Sequence, residues 1–257
     1  MPPTLPRTET IVCYPSRDDC GCEQDLEYHR IVTAALGSHG TVDRKHHLVK
    51  FSWAELIGNG AVDDSRGTAN PEGWDRWRCW GLSQYAGRLV IMAHGYGADR
   101  PFDLGKHANK MSSADAMTAT VFRYLRRLRR AAPSMAPTSR IDLVVCLSGS
   151  EPDRNSAVLA RRRLTIAESF AVGLTEMDAA AAARGEPALL GRPLTVTAPN
   201  GYFVYTGSLA VSPHPSGRDK RGVFKRGGKD MLGFLTQKWR VADLDQDQMT
   251  TVVAVVK

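Results

Sequence analysis

The sequence lacks long hydrophobic runs and is poor in cysteine. No apolar stretch approaches the roughly 18 residues of a membrane-spanning helix, so we expect no membrane span. Residues 1–7 lack the apolar segment of a secretory signal peptide, which predicts a cytoplasmic location. The five cysteines are an odd number, and without a signal peptide they argue against a disulfide framework.

Basic residues outnumber acidic ones, giving a formal net charge of +7. Many of them lie in residues 123–130, 161–163 and 218–240. A polyanionic partner is one interpretation of such segments, and a solvated basic surface is the other. No ribonucleoprotein motif, zinc finger or basic zipper accompanies them, so the sequence does not predict a nucleic-acid-binding protein.

The order of apolar segments predicts an α/β fold with a mainly parallel sheet flanked by helices. No internal repeat is visible. We expect an N-terminal extension, residues 1–84, that packs on an α/β core, residues 85–257. The predicted strands span residues 10–14, 48–53, 88–93, 140–145, 193–198, 202–206 and 250–256. Within the core that begins at residue 85, the segment 202–206 is predicted to be the fourth strand. One predicted helix begins at Ser112 or Ser113, with either serine as its N-cap. A second predicted helix spans about residues 157–184.

Two predicted apolar strands are each followed by a residue that could take part in nucleophilic catalysis, a histidine after one and a cysteine after the other. The strand at 88–93 leads into His94 and Gly95, and the strand at 140–145 leads into Cys146. A helix between them predicts a right-handed parallel crossover, which brings both ends to one edge of the sheet. There a cysteine thiolate could act as nucleophile and an imidazole as base. The backbone N–H groups of Gly95 and Cys146 are candidate oxyanion donors.

Either residue alone has a plainer interpretation. A lone cysteine is most often a small buried hydrophobic residue, and a lone histidine is most often structural. The two together, at the ends of successive predicted strands, favour catalysis. Asp142 lies inside the second strand, which indicates a structural role.

The segments that carry this pattern resemble the caspase-like cysteine peptidases. The histidine strand, residues 89–95, the helix start at 111–115 and the cysteine strand, residues 141–146, are similar to those of the self-cleaving peptidase domains of multifunctional-autoprocessing and large clostridial toxins. The Gln-Ala-Cys signature of true caspases is absent, and Val145 stands where the toxin domains often have glycine. The resemblance implies a caspase-like three-layer sandwich with an N-terminal extension.

In that family the cysteine attacks the scissile carbonyl and the histidine protonates the leaving amine. The resemblance assigns these roles to Cys146 and His94, with a protein or peptide substrate and no required cofactor or metal. It implies a bacterial effector or toxin, delivered into a host or target-cell cytosol and capable of self-cleavage. An inositol-phosphate activator would then bind basic residues such as Arg161–Arg163 and Lys220–Lys229.

Polar residues on the loops after the two strand ends are candidates for the substrate groove. After the histidine strand these are Asp99 and Asp103, either of which could instead orient the imidazole. After the cysteine strand they are Ser148, Glu151 and Asp153.

Three alternatives remain open from the residues. Ser148 or Ser150 could be the nucleophile of an α/β-hydrolase-type serine esterase with His214, although no Gly-x-Ser-x-Gly elbow surrounds them. The chain could also be a non-enzymatic binding module on the same scaffold. A structural zinc site is the third alternative, with ligands drawn from Cys20, Cys22, His29, His46 and His47.

Overall fold

The computed structural model describes residues 10–14, 42–43, 48–52, 82, 85–95, 114–150, 164–205, 209–212 and 249–254, and the structural statements below concern these residues. They contain nine strands and two helices. In chain order these are β1 (Thr10–Tyr14), β2 (Val42–Asp43), β3 (Leu48–Ser52), β4 (Arg88–Met92), α1 (Ala114–Ala131), β5 (Thr138–Val144), α2 (Ile166–Ala182), β6 (Leu190–Pro199), β7 (Tyr202–Tyr205), β8 (Leu209–Ser212) and β9 (Met249–Ala254).

Seven of these strands form one sheet in the order β2-β3-β1-β4-β5-β6-β9. The five strands from β3 to β6 in this order run parallel, and β2 and β9 flank them in the antiparallel direction. The predicted α/β fold with a mainly parallel sheet is therefore confirmed. The predicted fourth core strand is wrong, because the chain turns after Pro199 and β7 pairs with β8 in a separate two-stranded sheet.

The central strands are buried on both faces of the sheet. Ile91 of β4 and Leu143 of β5 belong to the hydrophobic core that α1 and α2 complete. Their neighbours Met92 and Val144 are also fully buried, although successive side chains of a strand point to opposite faces. Both faces of the parallel strands are thus covered, which explains their continuous apolar sequences.

Helix α1 is amphipathic. Met117, Val121, Leu125 and Leu128 are buried in the core, whereas Arg123 and Arg130 are exposed and Arg127 is buried. The helix begins at Ala114, directly after the serines predicted to cap it, which lie outside the described residues.

Helix α2 begins later than the sequence predicts. Thr165 is extended, with φ −69° and ψ 165°, and its hydroxyl accepts a hydrogen bond from the Glu168 N–H at 3.2 Å. The Glu168 carboxylate accepts in return from the Thr165 N–H at 2.7 Å. This capping box ends the preceding loop, so the predicted start near residue 157 is wrong. Residues 157–163 lie outside the described part of the chain.

The sheet crosses the predicted boundary at residue 85. Strand β1 lies between β3 and β4, and its residues pair with β4 from Thr10 opposite Arg88 to Cys13 opposite Ile91. Residues before position 85 therefore supply two of the five parallel strands. The division of the chain into an extension and a core remains a prediction.

A buried ion pair joins β4 to β5. The guanidinium of Arg88 donates to the Asp142 carboxylate at 2.7 Å, and Arg140 donates to the other carboxylate oxygen at 3.0 Å. Burial lowers the pKa of Arg88, and the nearby Asp142 carboxylate opposes that shift. Asp142 is fully buried and thus balances charge inside the sheet, in keeping with the structural role that its position predicts.

Candidate functional site

Cys146 lies two residues beyond the end of β5, at the first position of a tight turn. The thiol residue is half-buried, unlike the fully buried Val144 and Val145 before it. The following residue, Leu147, has φ 61°, in the left-handed region that residues with a side chain rarely adopt. The chain therefore reverses sharply after Cys146 and brings it out of the sheet at its C-terminal edge.

His94 occupies the matching position after β4. Strands β4 and β5 are parallel, with Met92 opposite Val144, and the Ala93 N–H donates to the Val144 carbonyl at 3.3 Å. That pair is the last in the register, and His94 and Cys146 each follow it by two residues. Met92 and Val144 lie on the face of the sheet opposite α1 and α2, because their neighbours Ile91 and Leu143 belong to the core that these helices complete. His94 is half-buried, like Cys146.

Gly95 packs directly on the backbone of Cys146. A Cβ atom at Gly95 would overlap the Cys146 carbonyl oxygen and lie 2.8 Å from Cγ1 of Val145 and 3.2 Å from the Cys146 backbone nitrogen. Only glycine permits this approach. The ends of β4 and β5 therefore contact each other at Gly95 and Cys146, the two residues whose N–H groups are the predicted oxyanion donors.

A third strand end holds the turn from the other side. The Leu147 N–H donates to the Gly201 carbonyl and the Gly149 N–H to the Pro199 carbonyl, both at 2.8 Å. Gly149 also lies so close to Asn200 that a Cβ there would come within 2.6 Å of the Asn200 Oδ1. The sequence of residues 199–201, Pro-Asn-Gly, predicts only a turn. A parallel β6 beside β5 was the missing signal, because its C-terminal end must lie at the same edge.

The two serines of the turn are committed to main-chain carbonyls. Ser148 is fully buried and its hydroxyl donates to the Val145 carbonyl at 2.8 Å. Ser150 is exposed and its hydroxyl donates to the Asn200 carbonyl at 3.0 Å. Ser148 therefore lies beneath the surface and stabilises the turn, which corrects its predicted position in the substrate groove. The serine-esterase alternative stays a prediction, because His214 lies outside the described residues.

Several candidate residues lie outside the described part of the chain. In the predicted substrate groove these are Asp99, Asp103, Glu151 and Asp153. For the other predicted sites they are Arg161–Arg163, Lys220–Lys229, His214, Cys20, Cys22, His29, His46 and His47. Their predicted roles stay predictions.

Three further observations concern thiols, metal ligands and membrane-spanning helices. Cys13 and Cys146 are thiols and not disulfides, and Cys13 is buried among the core residues that face α1 and α2. Within the described ranges, no group of three or more His, Cys, Asp and Glu side chains is arranged to hold a metal ion. In the same ranges, no helix combines the length and the hydropathy needed to cross a membrane.

Comparison with known proteins adds no relative. A scan against models of protein families and a search of curated proteins both gave no match.

Proposed function

We propose that the chain is a cysteine-dependent peptidase in which Cys146 is the nucleophile and His94 is its base. The observation that carries the proposal is the parallel register of β4 and β5, in which Met92 lies opposite Val144, two residues before His94 and Cys146 respectively. The sheet order supports it further, because ligand sites in such sheets form beyond the carboxyl ends of the strands.

The reaction would proceed by acyl transfer. The His94 imidazole takes the proton of the Cys146 thiol, and the thiolate forms a bond to the carbonyl carbon of the scissile peptide. The carbon–nitrogen bond then breaks, and the leaving amine receives the proton from the imidazolium. Water hydrolyses the thioester and regenerates the thiol. The N–H groups of Gly95 and Cys146 would stabilise the transient oxyanion.

The resemblance to caspase-like peptidases supports the same assignment at the level of the fold. A parallel sheet buried on both faces, with β4 and β5 connected through α1, is compatible with a caspase-like three-layer sandwich. We accordingly propose a protein or peptide substrate and the setting of a bacterial effector or toxin. Whether the substrate is this chain itself is decided by incubating the purified protein and sequencing any fragments.

Labelling of the cysteines tests the proposed function. We expect an acyloxymethyl-ketone probe or iodoacetamide to modify Cys146 faster than any other cysteine of the native protein. His94→Ala should slow that modification by about 10²-fold or more, because general-base catalysis contributes at least that factor. The rates are measured by mass spectrometry of the labelled peptides.

The chain offers a matched control in Cys13. Cys13 is 3% exposed and belongs to the hydrophobic core, so Cys13→Ala should leave the labelling of Cys146 unchanged. Modification of Cys146 at the same rate as the other cysteines would refute the peptidase and favour a non-enzymatic binding module.

A further inference from the structure

The hydroxyl of Ser148 occupies a buried position directly beneath the Cys146 backbone. It donates to the Val145 carbonyl at 2.8 Å, and the Ser148 N–H approaches the same oxygen at 3.4 Å. The Ser148 carbonyl in turn accepts from the Ala167 N–H in the first turn of α2 at 2.9 Å. Ser148 thus connects the end of β5 to the N-terminus of α2.

The hydrogen bond from the Ser148 hydroxyl to the Val145 carbonyl orients the whole peptide group between Val145 and Cys146. The carbonyl of Val145 and the N–H of Cys146 belong to one planar trans peptide and point in opposite directions. A donor that holds the Val145 oxygen therefore also fixes the direction in which the Cys146 N–H points. That N–H is one of the two oxyanion donors in the proposed reaction.

The Ser148 hydroxyl makes the shorter of the two hydrogen bonds that hold the Val145 carbonyl, at 2.8 Å against 3.4 Å for the Ser148 N–H. The left-handed φ of 61° at Leu147 reverses the chain immediately after Cys146, so the peptide on that side is not held by a continuing strand. The Leu147 N–H is already committed to the Gly201 carbonyl. Within the described residues, Ser148 is the side chain whose hydroxyl donates to the carbonyl preceding Cys146.

We propose that Ser148 is a positioning residue that aims the Cys146 N–H at the oxyanion of the substrate. The proposal rests on the proposed peptidase function. It assigns Ser148 neither a nucleophilic nor a substrate-binding role, because the residue acts through the peptide bond between Val145 and Cys146.

Two reagents separate this role from a general structural one. An acyloxymethyl ketone presents a carbonyl whose oxygen uses the oxyanion donors, whereas iodoacetamide is displaced at a saturated carbon and does not. We expect Ser148→Ala to lower the rate of Cys146 modification by the ketone roughly tenfold to a hundredfold, less than the loss of an oxyanion donor outright. The rate with iodoacetamide should change little.

Control variants come from the same turn. Ser150→Ala removes an exposed hydroxyl that water replaces, so both rates should remain those of the wild type. Ser148→Thr keeps the donor and should restore the rate with the ketone. The buried Cys13 reports folding in each sample, because it is modified only when the sheet opens.

The outcomes are distinct. A folded Ser148→Ala protein that reacts normally with the ketone, or that loses both rates equally, overturns the positioning role. If Ser148→Ala exposes Cys13, the folded Ser148→Thr protein decides: retention of the wild-type ratio of the two rates supports the role, and its loss contradicts it. Wild-type protein in which Cys146 reacts no faster than Cys13 refutes the peptidase itself, and the positioning role with it.

Discussion

At the scale of single residues, the candidate site depends on a backbone contact that tolerates no side chain. Gly95 and Cys146 approach so closely that a methyl group at Gly95 has no space beside the Cys146 carbonyl oxygen and the Val145 side chain. The neighbouring atoms are backbone and a β-branched side chain in the core, which cannot move aside easily. The contact therefore fixes the separation of the two strand ends.

Gly95→Ala tests that contact. We expect a loss of about 1–3 kcal/mol of unfolding free energy from overpacking, measured by denaturant titration. The labelling of Cys146 should slow as well, because the strand ends must separate to admit the methyl group.

Gly185→Ala provides the comparison for that variant. Gly185 has φ +82°, and within the described part of the chain a methyl group there would meet no atom within 4 Å. The substitution therefore costs only left-handed strain, about 1–2 kcal/mol. Labelling of Cys146 should be unaffected there. Equal effects of the two variants on labelling would show that the Gly95 contact has no special role.

At the scale of secondary-structure elements, the turn after Cys146 depends on the first turn of α2. The capping box of Thr165 and Glu168 fixes where that helix begins, and the Ala167 N–H in the first turn donates to the Ser148 carbonyl. A helix that started one residue later would lose this hydrogen bond. The cap therefore stabilises both the helix and the turn that carries the thiol.

Thr165→Ala should destabilise the protein by about 1 kcal/mol, the usual cost of removing an N-cap hydroxyl. Thr165→Ser retains the hydroxyl and should stay within a few tenths of a kcal/mol of the wild type. Thermal unfolding by circular dichroism measures both. Equal stability of the alanine and serine variants would contradict the role of the cap.

Local patterns predicted the elements better than their ends. The strands that precede His94 and Cys146 are visible as apolar runs, because burial on both faces of a parallel strand gives consecutive apolar residues. The buried role of Ser148 was not visible, since it depends on the reversal at Leu147. The start of α2 was misplaced because its cap is a short-range hydrogen-bond exchange that apolar periodicity does not report.

At the scale of the whole molecule, the order of strands in the sheet determines which strand ends lie next to one another. The order β1-β4-β5-β6 brings the ends of β4, β5 and β6 to one edge, and the segment after β6 contacts the turn at Cys146. Sequence order alone did not predict that β1 would lie between β3 and β4, because strand pairing is a long-range choice. The contribution of residues 199–201 was missed for the same reason.

The central claim is that His94 and Cys146 meet at this edge. Dibromoacetone, a bifunctional alkylating agent, tests it directly because it joins a reactive thiol to a nucleophile within a few atoms of it. In the native protein we expect one cross-link between the Cys146 sulfur and the His94 imidazole, identified by mass spectrometry and absent from His94→Ala. Alkylation of Cys146 without this cross-link, or a cross-link to another residue, would contradict the account.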